Sequence, residues 1–151
     1  MLFATQFKSG IRRAARALAL ASLIPAGSAF AGPLLVNVEQ VRNDSGVVRC
    51  GLFASAQAWR QEQSALRTAN AMPVNGKAVC DLGVVPAGEY AVALFHAENG
   101  EAHVQYGFLG KPRQGVGFSN NPSITFGAPD FEAAKLHIGS EPVRLNVVVK
   151  Y

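Results

Sequence analysis

The densest group of side chains able to do chemistry is "HAENGEAH", residues 96–103, which carries His96, Glu98, Glu101 and His103. Imidazole and carboxylate together suit a divalent ion such as zinc or copper. The two histidines converge only if the chain turns between them, and Asn99-Gly100 is a preferred hairpin turn. A plain hairpin tip with solvated charges explains the same residues and is the favoured reading. His137, in "KLHI", reads as a packing or surface histidine. A second group is "GFSNN", with Phe118, Ser119, Asn120 and Asn121. Ser119 is not in the G-x-S-x-G elbow of serine hydrolases, and no acid or base is spaced to serve it. Serine and asparagine are, however, suited to side-chain-to-backbone bonds that hold a loop in shape. Phe118 to Asn121 therefore form a candidate binding loop. Cys50 and Cys80 have no C-x-x-C spacing, and in an oxidising compartment such a pair is expected as a disulfide.

The elements that must position these groups read as strands. Residues 46–53, "GVVRCGLF", place Val48, Cys50 and Leu52 on one face. They follow the run 35–42 across the turn-forming "NDSG", so these two runs are expected to pair as a hairpin. Residues 54–70 lack a period of two and read as a crossing loop or a short helix near 56–63, with Trp59, the single tryptophan, as an anchor. Ala78, Cys80 and Leu82 share a face, which must meet the face of Cys50 if the disulfide forms. After the turn at residues 86–88, the run 90–95 is apolar on both sides, as a central strand is. Residues 133–138 read as a short strand. In 143–150, Val143, Leu145, Val147 and Val149 alternate with more polar residues. Gly107, Gly110, Gly115 and Gly117 argue against a regular element there, so that region is expected to be a long ordered loop docked by Tyr106, Phe108, Phe118 and Phe126. The pattern predicts an all-β fold: an antiparallel β-sandwich of six to seven strands, immunoglobulin-like or transthyretin-like.

The first 31 residues are set apart. Lys8, Arg12, Arg13 and Arg16 precede the apolar run 17–30, and Ala29-Phe30-Ala31 fits a signal-peptidase site. Residues 1–31 are thus expected to be a cleaved signal peptide, and residues 32–151 a single domain. Those four cations account for the whole net charge of +4, so the remaining chain is neutral. That removes the electrostatic case for nucleic acid or anionic lipid as a partner. No second long apolar run follows, so no transmembrane segment is expected in the mature chain.

Several runs together resemble a known family. "PAGEYAVALFH", "ENG", the G-x-P-x-x-G-x-GFSNN run, "GAPDFEAAKLHI" and the closing Tyr151 are similar to an uncharacterised group of exported bacterial proteins, domain of unknown function 2141. The resemblance covers residues 34–151 and implies a small β-sandwich akin to transthyretin-like modules, with no activity attached. The family's run after the "YAV" strand has the form H-D-x-N-x-N-G-x-x-D, whose oxygens could wrap calcium. Here His96 and Asn99 are kept, while the other oxygen positions fall on Ala97, Glu101 and Gln105, and the glycine on Ala102. This copy is expected to hold such an ion weakly or not at all.

The combined expectation is a periplasmic or secreted, non-enzymatic binding or structural module, whose partner is a protein or a small-molecule ligand and which needs no cofactor. Two alternatives stand beside it: a divalent-metal protein using the 96–103 loop, and a transthyretin-like hydrolase. The hydrolase reading lacks the C-terminal Tyr-Arg-Gly-Ser motif, since the sequence closes on "VVVKY".

Overall fold

A computed structural model describes residues 30–125 and 127–151. The signal-peptide reading of residues 1–31 and the docking of Phe126 therefore lie outside the described residues, apart from the backbone of residues 30 and 31. Among the described residues eight strands form: β1 (Phe30–Glu39), β2 (Val47–Phe53), β3 (Arg67–Ala71), β4 (Ala78–Pro86), β5 (Gly88–Ala97), β6 (Val116–Phe118), β7 (Lys135–Ile138) and β8 (Val143–Val148). One helical turn, α1 (Phe131–Ala134), leads into β7. One sheet has the order β4-β1-β8; the other has β3-β2-β5-β6, with β7 pairing the first half of β5. The predicted all-β sandwich is the fold observed.

Period-two alternation builds the core. Leu34, Val36 and Val38 of β1, with Cys80, Leu82 and Val85 of β4, face Val48, Cys50 and Leu52 of β2 and Tyr90, Val92 and Leu94 of β5. Each such side chain, fully buried, contributes about 1.5–3 kcal/mol. The outer face of the three-stranded sheet is polar or exposed, and there Asn37 donates to Asn146 at 3.0 Å across the β1–β8 pair. A bond between Cys50 and Cys80 staples the two sheets. The predicted meeting of the Cys50 and Cys80 faces is therefore observed.

Four expectations are corrected. First, residues 35–42 and 46–53 do not pair. β1 lies between β4 and β8, while β2 lies between β3 and β5 in the other sheet. The "NDSG" segment is a crossover, held because the Asp44 carboxylate accepts from the Asn75 and Gly76 amides. Gly46 has φ +68°, and a Cβ there would lie 2.0 Å from the Ala97 carbonyl oxygen, so glycine is needed. Second, β1 and β8 run parallel, which needs a crossover connection, and here the chain between them passes through the other sheet. Third, residues 54–66 form the crossing loop, one of the two expectations, with one 3₁₀ turn at Glu62–Ser64, but residues 67–70 belong to β3, an exposed edge strand whose polar composition hid it. Fourth, the glycine-rich stretch does contain a strand. β6 pairs β5 with Gly117 facing inward, where a Cβ would stand 2.7 Å from Val147.

A second apolar layer covers the outer face of the five-stranded sheet. Trp59 is buried, its Nε1 donates to the Pro129 carbonyl at 2.9 Å, and its ring packs against Phe53, Phe118 and Phe131. Asp130 caps α1 by accepting from Ala133 N–H. Tyr90 hydroxyl donates to the Pro86 carbonyl at 2.9 Å, pinning the corner where the chain passes from one sheet to the other.

Candidate functional site: a groove on the outer face of the five-stranded sheet

The four candidate metal ligands are not brought together. His96 is fully buried at the end of β5. Its Nε2 lies 2.7 Å from the Ser45 carbonyl, which can only accept, so Nε2 carries the proton. Nδ1 is then left to accept from the Tyr151 hydroxyl at 2.8 Å, and that oxygen accepts in turn from Arg42 N–H. Burial pushes the Tyr151 phenol up, which keeps it protonated for this role. Glu98 pairs with Arg42 at 2.5 Å and with Asn43. Glu101 folds back on Asn99. His103 is 78% exposed and bonds Glu62 of the 54–66 crossing. Among the described residues no three His, Cys, Asp or Glu side chains are grouped to hold a metal ion. The reason is topological: His96 points into the interior, while His103 lies past the turn at Gly100 on a loop that runs over the outer face. His137 is exposed on β7, as expected.

The hydrogen bond from Asn43 holds the Glu98 carboxyl below its ordinary value, with Arg42 adding to the effect and partial burial opposing it. A depressed folded-state value stabilises the fold above the unfolded value near 4.5 and loses that contribution as pH falls through the folded value. Wild type is thus expected to exceed Glu98→Gln in stability at neutral pH, with the gap closing as pH falls below the unfolded value near 4.5 and through the lower folded one. Urea titrations of both proteins from pH 7 to 3 check this, and a gap constant across the range would contradict it.

The "GFSNN" residues bind this chain's own backbone. Ser119 is fully buried. Its Oγ accepts from Val92 N–H at 2.9 Å and donates to the Ala134 carbonyl, joining β5 to the end of α1. Asn120 and Asn121 both adopt left-handed φ, +64° and +48°. Asn120 donates to the Lys135 carbonyl at 2.7 Å. Asn121 donates to the Asn146 carbonyl at 3.0 Å and accepts from Val148 N–H at 2.8 Å, completing the free edge of β8 as a neighbouring strand would. The ring of Phe118 is buried beside Trp59. The expected binding loop is in this geometry a clasp between the two sheets. Ser119→Ala would leave a buried donor and acceptor unpaired and is expected to cost about 1–3 kcal/mol; a loss below 0.5 kcal/mol in chemical denaturation would contradict the clasp.

The docking aromatics also divide. Tyr106 and Phe108 do not dock: they are 56% and 86% exposed on a closed loop in which Arg113 N–H donates to Gln105 O and Gly107 N–H to Lys111 O.

What the sequence did not signal is a groove of about 440 Å³ on the outer face of the five-stranded sheet. Its floor is low because three small or short residues, Thr68, Gly51 and Ala93, stand side by side across β3, β2 and β5. A Cβ on Gly51 would already approach the Phe53 ring to 3.0 Å. Phe95 and Phe118 add apolar walls, and the Arg49 side chain stands on the floor next to Phe95. The two long connections, 54–66 and 98–115, form the sides and touch through Glu62 and His103. Arg49 anchors the second connection by donating from Nε to the Glu101 carbonyl at 2.9 Å. The volume lies in the range of small-molecule sites, which combine apolar walls with a few placed polar groups.

Among the described residues no helix is long and apolar enough to cross a membrane. No curated protein and no solved structure matches this chain. Residues 36–146, which run from β1 into β8, match a family described as "uncharacterized protein conserved in bacteria (DUF2141)", and the chain belongs to that bacterial family.

Proposed function

We propose that this protein is an exported, non-enzymatic binding module of the bacterial cell envelope, and that the groove over β2 and β5 holds a small ligand. The groove carries the reading. It is concave, it has apolar walls with a few polar groups, and it rests on a rigid sheet that the disulfide cross-links. Export is supported by the basic and apolar segment before Gly32 and by the cysteine pair. Removal of residues 1–31 would leave the β1 pairs from Pro33 to Val38 intact. The protein is expected in the periplasm or the medium with Gly32 at its N-terminus and a small molecule bound. Ala93→Phe, which fills the floor, is expected to abolish that binding while preserving the near-UV circular dichroism. Native mass spectrometry of the envelope fraction reads both; a full-length cytoplasmic chain would sink the export half, and unchanged ligand on Ala93→Phe would sink the groove half.

A hydrolase is the second reading, and one observation favours it. His103 and Glu62 come from different connections and meet at the groove beside Arg49. A carboxylate-oriented imidazole can act as a general base. If the groove only binds, His103→Ala should leave ligand affinity within about fivefold, since an exposed pair contributes about 1 kcal/mol or less, and no ester or amide turnover should disappear with it.

A further inference from the structure

We infer that the groove selects a ligand with a flat or elongated apolar body and one anionic head, a carboxylate or its equivalent, seated on Arg49. This rests on the proposed groove and adds the chemical class of its occupant.

Arg49 carries the inference. It lies in the middle of β2, directly opposite Phe95 on one side and Asn70 on the other, and it is half-buried. Its Nε is held by the Glu101 carbonyl, which fixes the plane of the guanidinium and aims its other edge. Among the described residues no carboxylate lies within 4.0 Å of that group, while Arg42 and Lys135 each have an acidic partner. A half-buried guanidinium without a carboxylate, oriented by a main-chain bond, is built to take an anion by paired N–H donors. Arg60 lines the same groove and has no acidic partner either. Glu62, the acidic residue at that rim, is already engaged by His103. The local field thus favours a negative head, and Phe95, Phe118, Ala93 and Gly51 provide the apolar bed for the rest of the ligand. A neutral apolar ligand would leave Arg49 desolvated and unpaired, which costs free energy.

Two fluorescent probes with the same anilinonaphthalene body separate the terms. 8-Anilinonaphthalene-1-sulfonate carries an anion and N-phenyl-1-naphthylamine does not. The folded protein is expected to bind the sulfonate at least tenfold more tightly than the neutral probe, a difference of about 1.4 kcal/mol. Arg49→Gln should remove that preference, weakening the sulfonate while the neutral probe binds at least as tightly as to wild type, and Arg49→Lys should restore part of it. 2-Naphthoate should displace the sulfonate, and 2-naphthamide should not. Equal affinity for both probes, or an unchanged preference in Arg49→Gln, overturns the anionic head and leaves the groove standing. If neither probe binds, or both bind Ala93→Phe as they bind wild type, the groove itself fails.

Discussion

Replacing Cys50 and Cys80 together by alanine is expected to lower the unfolding free energy by roughly 3–4 kcal/mol. The bond joins residues separated by 30 in sequence, and in the chain-entropy account a loop of that length restricts the unfolded ensemble by about this amount. Its placement adds to the effect. It is the covalent link between the two sheets, running from the inner face of β2 to the inner face of β4, and both cysteines are buried in the inter-sheet core. Alanine is the better test than serine, because a buried hydroxyl would add its own desolvation cost. A small domain has only about 5–15 kcal/mol in total, so the double variant should unfold at a much lower urea concentration. The comparison of oxidised wild type, reduced wild type and the variant decides it. A difference under 1 kcal/mol between oxidised and reduced protein would show that the sheets are held by apolar packing alone.

The second large effect is expected at His96. His96→Ala should cost about 3 kcal/mol. It removes a fully buried ring, and it leaves the Ser45 carbonyl and the Tyr151 hydroxyl without their partner. Most of that cost is the cavity left by the ring, since Ser45 and Tyr151 are exposed enough for water to take up their freed groups. Tyr151→Phe should cost less, because it opens no cavity: its cost is the buried His96 Nδ1 left without a donor, while the exposed Arg42 N–H can bond water. The double variant should cost less than the sum of the two single ones, since both delete the same bond. Equilibrium denaturation of the four proteins gives the coupling. Strict additivity would show that the His96–Tyr151 bond contributes nothing, and a catalytic or metal role for His96 would gain from that result. The internal bonds of His96 have a functional consequence as well: both ring nitrogens are occupied, so this histidine is a structural pin.

Parts of this molecule were legible in the residues. Alternation placed Val48, Cys50 and Leu52, or Val143, Leu145 and Val147, on one face each, because a strand turns successive side chains to opposite sides whatever lies beside it. The pairing of Cys50 with Cys80, and hence the meeting of two faces, followed from compartment chemistry. The apolar character of residues 90–95 on both sides marked β5 as central, and it does lie between β2 and β6 with a layer on each face.

Other parts were decided only by the tertiary structure, for one physical reason: periodicity says which way a side chain points and nothing about which strand or loop is beside it. The crossover at 43–46 reads like a hairpin turn, because asparagine, aspartate and glycine serve both. Asp44 settles the matter by capping amides at 75 and 76, which are distant in sequence. His96 and His103 are close in the chain and were natural partners for a metal, yet one is drawn inward by Ser45 and Tyr151 and the other outward by Glu62. Ser119 and Asn121 have the composition of a binding loop, but the acceptors and donors they meet belong to β5, α1 and β8. The groove arises where Thr68, Gly51 and Ala93 fall into one row across three strands. No spacing along the chain records that row, since it exists only once β2 has chosen β3 and β5 as its neighbours.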